Sequence, residues 1–177
     1  AIVALAFDFS RVKLVCDVGG GHGALLSAIL MNYPNVNGIL FDLPSGLDIA
    51  RSGVGGPLPR CEFTAGDFFR EVPSGADVYL LKLVLHDWDD IAAEKILTVC
   101  RQAMHSEARL LVLESLRSDW PDTSVSNIWD FHMLVNTGGK ERSRQEVCRL
   151  ANNAELVLVR HTSLNSRLSL TELRRTV

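Results

Sequence analysis

The chain has 177 residues, enough for one domain with a substantial core, and its 47% hydrophobic and 22% charged residues are an ordinary soluble composition. A formal net charge of −3 argues against a nucleic-acid or membrane-surface protein, and no apolar run approaches the roughly 18–20 residues of a membrane span. The four cysteines, Cys16, Cys61, Cys100 and Cys148, are scattered through apolar segments, as expected for reduced thiols of a cytoplasmic protein rather than disulfides or a metal site.

The chain opens on AIVALAFDFS, with no Met and no helix cap, which suggests a piece of a longer chain entered in mid-helix. Next, KLVCDV (13–18) reads as a buried strand, and ALLSAILMNY (24–33) as a helix stopped before Pro34. VNGILFDL (36–43) is a second strand, followed by a short helix over about 47–52 and a Gly/Pro loop. CEFTAG (61–66) is a third strand running to Asp67, and ADVYLLKLVL (76–85) a fourth that ends just before His86. The run 89–104 starts with acids and repeats apolar residues at helical spacing, so it is a helix. ARLLVLES (108–115) is a fifth strand, and 124–135 and 143–151 are helices, the second opened by a capping box of Ser143 and Glu146. The last two strands, 154–162 and 167–175, are joined by a link too short for a crossover helix, so they pair antiparallel. The expected fold is α/β: an open doubly wound sheet of about seven strands, mostly parallel, with an antiparallel C-terminal hairpin.

In such a sheet ligands bind outside the carboxyl ends of the strands, and ionisable residues stand at those ends here: Asp17, Asp42, Asp67, His86 and Glu114. The first strand runs into DVGGGHGA (17–24). Gly19 and Gly21 allow a turn in which no Cβ blocks a ligand, and Gly23 lets the helix pack close to the strand. The spacing Gly19-x-Gly21-x-x-Ala24 is shared by dinucleotide and S-adenosylmethionine folds, and Asp42 suits a ribose diol in either. The ring of acids, Asp17, Asp42 and Asp67, suits a cationic, phosphate-free ligand such as S-adenosylmethionine, whereas a dinucleotide needs donors for its pyrophosphate. Asp67 can accept from an adenine amino group while Phe68 stacks on the ring.

The segments LVCDVGGGHGALL, GILFDLP, AGDFF, YLLKLVLHDWDD, LLVLES and GGKERS follow one another in an order that resembles the O-methyltransferases typified by the caffeic acid and hydroxyindole (acetylserotonin) enzymes. The resemblance covers nearly the whole chain, and LHDWDD followed by GGKER is its most specific part. It implies the class I methyltransferase (Rossmann-like) sheet, with residues 1–177 forming the catalytic domain and the family's N-terminal dimerisation domain absent. It further implies His86 as general base between Glu114 and Glu141, and cofactor contacts at Asp17, Gly19, Gly20, Gly21, Asp42, Leu43, Gly66, Asp67, Phe68 and Lys82. Substrate contacts fall at Asp87, His132, Met133 and Asn136, with no metal. Plant members carry Met where Phe68 stands here.

The expected reaction is methyl transfer from S-adenosylmethionine, leaving S-adenosylhomocysteine, to a hydroxyl of a small phenolic, indole or polyketide molecule. A phenol with a pKa near 10 is almost un-ionised at neutral pH, so a neutral His that takes its proton during attack contributes roughly 10²–10⁴-fold. A homodimer is expected only with the missing N-terminal domain, and neither nucleic acid nor membrane is an expected partner. Two alternatives stay open: a cofactor-binding fragment or interaction module without turnover, and an NAD(P)-dependent oxidoreductase, for which Tyr33 and Tyr79 sit badly.

Overall fold

Runs of apolar residues with β-branched members form the central strands of the chain in a computed structural model, which describes residues 3, 6–116, 139–165 and 168–176. The order is β1 (Leu14–Val18), α1 (Ala24–Asn32), β2 (Asn37–Asp42), α2 (Pro44–Arg51), β3 (Cys61–Ala65), β4 (Val78–Lys82), a 3-10 turn (Leu85–Asp87), α3 (Asp90–Ala103), β5 (Arg109–Ser115), α4 (Arg144–Asn153), β6 (Leu156–Ser163) and β7 (Leu168–Arg175). The strands make one seven-stranded sheet in the order β3-β2-β1-β4-β5-β7-β6. The first five are parallel, and β7 lies antiparallel to both β5 and β6, as the short terminal link requires.

Alternation along the strands divides the core between the two faces of the sheet. Val15, Leu40, Leu80 and Leu111 pack with Leu26 and Ile29 of α1 and Leu47 of α2. Cys16, Val18, Leu81 and Val112 pack on the other face with Ile96, Leu97 and Cys100 of α3 and Leu150 of α4. With helices on both faces, the central strands are buried on both sides, hence their near-continuous hydrophobicity. The strand order reverses between β1 and β4, the place where such sheets leave a crevice above the carboxyl ends. All four cysteines are free; Cys16 and Cys100 are buried, while Cys61 and Cys148 are only partly so.

Local signals account for most boundaries. Asp89 caps α3 by accepting from Ala92 N at 2.8 Å, and Ser143 and Glu146 form the expected capping box of α4. Three expected boundaries are corrected. Helix α2 begins at Pro44, three residues before the expected start, because proline is favourable in a first helical turn. Strand β3 ends at Ala65, so Asp67 stands two residues past it. Strand β4 ends at Lys82 and not at Leu85: Leu83 takes a left-handed conformation (φ 54°), and Val84 and Leu85 are buried as anchors of the following turn rather than as strand residues. The expected helix at 124–135 lies outside the described residues.

Candidate active site

The glycine loop after β1 is shaped around one carboxyl group. Asp17 alternates with Val15 on the α1 side of the sheet and is 1% exposed, and neither of its oxygens has a hydrogen-bond partner among the described residues. A Cβ on Gly20 would come within 2.8 Å of that carboxyl and 2.5 Å of Leu40, so only glycine lets the loop close over Asp17. Burial raises the Asp17 pKa to about 7, against a downward pull from the Lys82 charge, and Asp42 adds to the rise. The Leu26 backbone N–H also draws that pKa down, although it makes no well-aligned hydrogen bond with either oxygen. Asp17 is the last residue but one of β1, with its carboxyl buried rather than free at the strand end.

Asp42 closes β2 and holds the same loop: its Oδ2 accepts from Gly21 N and its Oδ1 from Leu43 N, both at 2.7 Å. Space around Gly21 is open, with no atom within 4 Å of where its Cβ would stand, and Leu43 is exposed beside it. Gly66 follows β3 and packs so close to the Phe41 ring that a Cβ there would lie 2.5 Å from it. Asp67 is turned inward on its own chain, where Oδ1 accepts from Phe69 N at 2.9 Å. Phe68 and Phe69 both join Trp88 in an edge-to-face cluster, with centroids 6.0 and 4.7 Å from the indole. Lys82 is exposed at the end of β4.

A second group of residues stands beside this loop. His86 lies in the 3-10 turn after β4, and its Nδ1 is 3.0 Å from Glu114 Oε2 near the end of β5. The approach is short but not aligned along the ring N–H axis, and among the described residues Oε2 has no other hydrogen-bond partner. Glu114 Oε1 accepts from Val84 N and Leu85 N at 3.0 and 2.8 Å. His86 Nε2 lies 3.4 Å from Asp87 Oδ1. Burial pulls the imidazole pKa down, but the contact with Glu114 and the charges of Glu114, Asp87 and Glu141 outweigh it, so the pKa sits above its ordinary value. Burial raises the Asp87 pKa, against the opposing pull of His86. Glu141 Oε1 accepts from Ser115 Oγ at 3.1 Å, and its charge helps to raise the His86 pKa.

The two groups are contiguous. A Cβ on Gly19 would lie 3.1 Å from Val84 Cγ2 and 3.4 Å from Phe68, so the residue two before His86 packs against the glycine loop. Phe68 in turn touches Trp88, two residues after His86.

Residues 139–142, singled out in the sequence only for Glu141, do more than supply that acid. Arg142 is 3% exposed and donates to Leu85 O at 2.6 Å, Trp88 O at 2.7 Å and Asp90 Oδ1 at 3.0 Å. The sequence signal for it is GGKERS, in which Arg142 directly follows Glu141. His132, Met133 and Asn136 lie outside the described residues. Among those described, no cluster of His, Cys, Asp and Glu could hold a metal ion, and no helix is long and apolar enough to cross a membrane.

Comparison with known proteins converges on one family. The O-methyltransferase domain model matches residues 2–156. Phenazine O-methyltransferase PhzM of Lysobacter antibioticus is 42% identical over 174 residues, covering 96% of this chain and 50% of that protein. The crystal structure of NcsB1, an O-methyltransferase of neocarzinostatin biosynthesis in complex with S-adenosylmethionine and 2-hydroxy-5-methyl naphthoic acid, superposes with a TM-score of 0.86 at 34% identity, over 98% of this chain and 52% of that one. Aclacinomycin 10-hydroxylase RdmB of Streptomyces purpurascens is 40% identical over 157 residues, covering 86% of this chain and 42% of that protein. The chain spans about half the length of the curated relatives it matches.

Proposed function

The chain belongs to the O-methyltransferase domain family, and from that membership we propose that it transfers a methyl group from S-adenosylmethionine to a hydroxyl of a small aromatic molecule, with His86 as general base. One observation carries the reading: the His86–Glu114 pair, 3.0 Å apart, sits on a turn whose Val84 packs against the glycine loop, so a base and a cation-accepting loop share one crevice.

The residues fit the cofactor. The buried Asp17 carboxyl would offset the positive charge of its methionyl part, Asp42 would accept from its ribose hydroxyls, and Asp67 with Phe68 would border its adenine. When bound, S-adenosylmethionine supplies an electrophilic methyl on sulfonium. Everything else falls to this chain and the acceptor. In the tautomer that carries its proton on Nδ1, the nitrogen 3.0 Å from Glu114, the imidazole has its lone pair on Nε2, which would take the acceptor's hydroxyl proton as the oxygen attacks. Glu114 and Asp87 then flank the imidazolium, and Glu141 adds negative charge, so the proton is held while the neutral ether leaves. Trp88, Phe68 and Phe69 keep water from the side of the turn that faces the loop. One relative was solved with a naphthoic acid, which supports an aromatic acceptor, and the resemblance in sequence implies Asp87, His132, Met133 and Asn136 as the residues that would hold its ring.

The test is mass spectrometry of a phenolic, indole and polyketide panel incubated with the full-length protein and S-adenosylmethionine. A product heavier by one methyl supports the reading. A product heavier by one oxygen favours instead the hydroxylase reading that the similarity to RdmB brings in. A folded protein that binds NADH and not S-adenosylhomocysteine overturns both.

A further inference from the structure

A single 3-10 turn is a weak support for a catalytic side chain, because its hydrogen bonds are few and poorly aligned. The His86 turn has Asp87 N donating to Val84 O at 3.2 Å and Trp88 N to Leu85 O at 3.3 Å, and little else of its own. It follows a residue in the left-handed region, Leu83, which adds local strain. Something outside the turn must fix it.

Two groups do so from opposite sides. On one side Glu114 Oε1 takes the N–H groups of Val84 and Leu85. On the other, the buried Arg142 guanidinium spans the turn, with Nη1 on Leu85 O and Nη2 on Trp88 O, the carbonyls that flank His86 in sequence. Its Nε is tied to Asp90 in the first turn of α3, and Asp90 also receives Lys140 Nζ at 3.4 Å and Arg149 Nη2 at 2.9 Å. The fork is thereby anchored to a helix rather than to a loop. Gly139 completes the contact: a Cβ there would collide with His86 O and stand 2.6 Å from the Asp87 carbonyl carbon, so its backbone lies against the peptide that follows His86. Arg142 also pairs as an isolated parallel bridge with Leu116, just past β5, which fixes the height of the segment.

We infer that Arg142, with the close approach of Gly139, is a positioning residue that holds the His86 turn in place and keeps the imidazole against Glu114. This rests on the reading of His86 as general base. The planar fork matters because a lysine ammonium is a point charge and cannot reach two carbonyls on either side of the turn in a fixed plane. The other charged groups around the imidazole are Glu114, Asp87 and Glu141, and those around the guanidinium are Asp90 and Lys140.

The experiment compares Arg142→Lys, Gly139→Ala, Arg142→Ala and His86→Ala in the full-length protein, reading kcat against pH, KM for the acceptor, and S-adenosylhomocysteine affinity by calorimetry. Arg142→Lys and Gly139→Ala are expected to lower kcat by roughly tenfold or more, the scale of a misplaced catalytic group. The acid limb of kcat should move toward lower pH as the imidazole leaves Glu114, while cofactor affinity stays within about twofold, because the residues that contact the cofactor are untouched. If Arg142→Ala does not fold, the two milder variants carry the test. An unchanged kcat and acid limb in Arg142→Lys while His86→Ala is slow would overturn the inference alone. A parallel loss of cofactor binding in the two milder variants would also overturn it, since that marks general destabilisation. Near-normal turnover in His86→Ala would instead bring down the general-base reading beneath it.

Discussion

Glu114 meets the His86 turn with both of its carboxylate oxygens: Oε2 stands 3.0 Å from the imidazole Nδ1, and Oε1 takes the backbone N–H groups of Val84 and Leu85. One buried side chain therefore acts both on the charge of the imidazole and on the position of the peptide that carries it. The arrangement is that of an orienting acid behind a histidine, reached here from a neighbouring parallel strand.

Glu114→Gln tests the charge apart from the position. The amide oxygen can still accept from Val84 and Leu85, but the negative charge is gone. The His86 pKa is expected to fall toward its ordinary value, and since the base must be neutral, the acid limb of kcat moves to lower pH. The plateau drops by roughly ten- to a thousand-fold, because the imidazolium formed in the step is less stabilised. The check is a kcat profile over pH 5–9 compared with the parent. An identical acid limb would mean that Glu114 serves the fold alone.

Asp42→Ala separates cofactor binding from chemistry. It removes the acceptor of Gly21 N and Leu43 N and the proposed acceptor of the ribose diol. A lost charged acceptor of this kind costs about 1.5–3 kcal/mol, so S-adenosylhomocysteine binding should weaken by roughly ten- to a hundred-fold. At saturating cofactor kcat should change little. Calorimetry alongside saturation kinetics decides, and unaltered affinity would place the ribose elsewhere.

Asp17→Asn acts on stability and binding in opposite directions. Burial raises the carboxyl pKa to about 7 from 3.8, so between those pH values the folded chain holds a proton that the unfolded chain has released. Stability from this group is full below about pH 4 and declines as pH rises through about 7. The uncharged amide removes that decline, so the unliganded variant should melt above the parent at pH 8 and close to it at pH 4–5. The ammonium of a bound S-adenosylhomocysteine reverses the logic, because it pairs with the ionised carboxylate. Affinity of the parent for S-adenosylhomocysteine should therefore increase with pH through about 7, and Asp17→Asn should bind more weakly with a flat profile. Thermal melts and calorimetry at pH 5 and 8 test both halves.

Much of this was legible in the sequence for identifiable reasons. Strands β1, β2 and β5 are apolar runs that carry an acid at or next to their last residue, and the short link after β6 leaves no topology but an antiparallel pair. The capping box at Ser143 is a local signal that needs no tertiary information. The fourth strand was misread past Lys82 because Leu83, Val84 and Leu85 continue the apolar pattern. Nothing local announces that Leu83 turns left-handed once Glu114 captures the next two N–H groups. Asp17 reads as a strand-end ligand from its place before the glycines. Its burial beneath Gly20 becomes visible only when the loop folds back over β1. Arg142 was missed for a similar reason: its partners Leu85 and Trp88 are 57 and 54 residues away, and one sequence gives no way to pair them.

The central claim is that His86 takes the acceptor's proton. The measurement that tests it most directly is the turnover of His86→Ala in the full-length protein on two acceptors, an ordinary phenol and one acidic enough to be ionised at the assay pH. The account predicts a loss of roughly two to four orders of magnitude on the ordinary phenol, unchanged cofactor affinity, and partial recovery on the ionised one, which needs no base. Near-normal turnover on the ordinary phenol, or an equal loss on both acceptors, would contradict it.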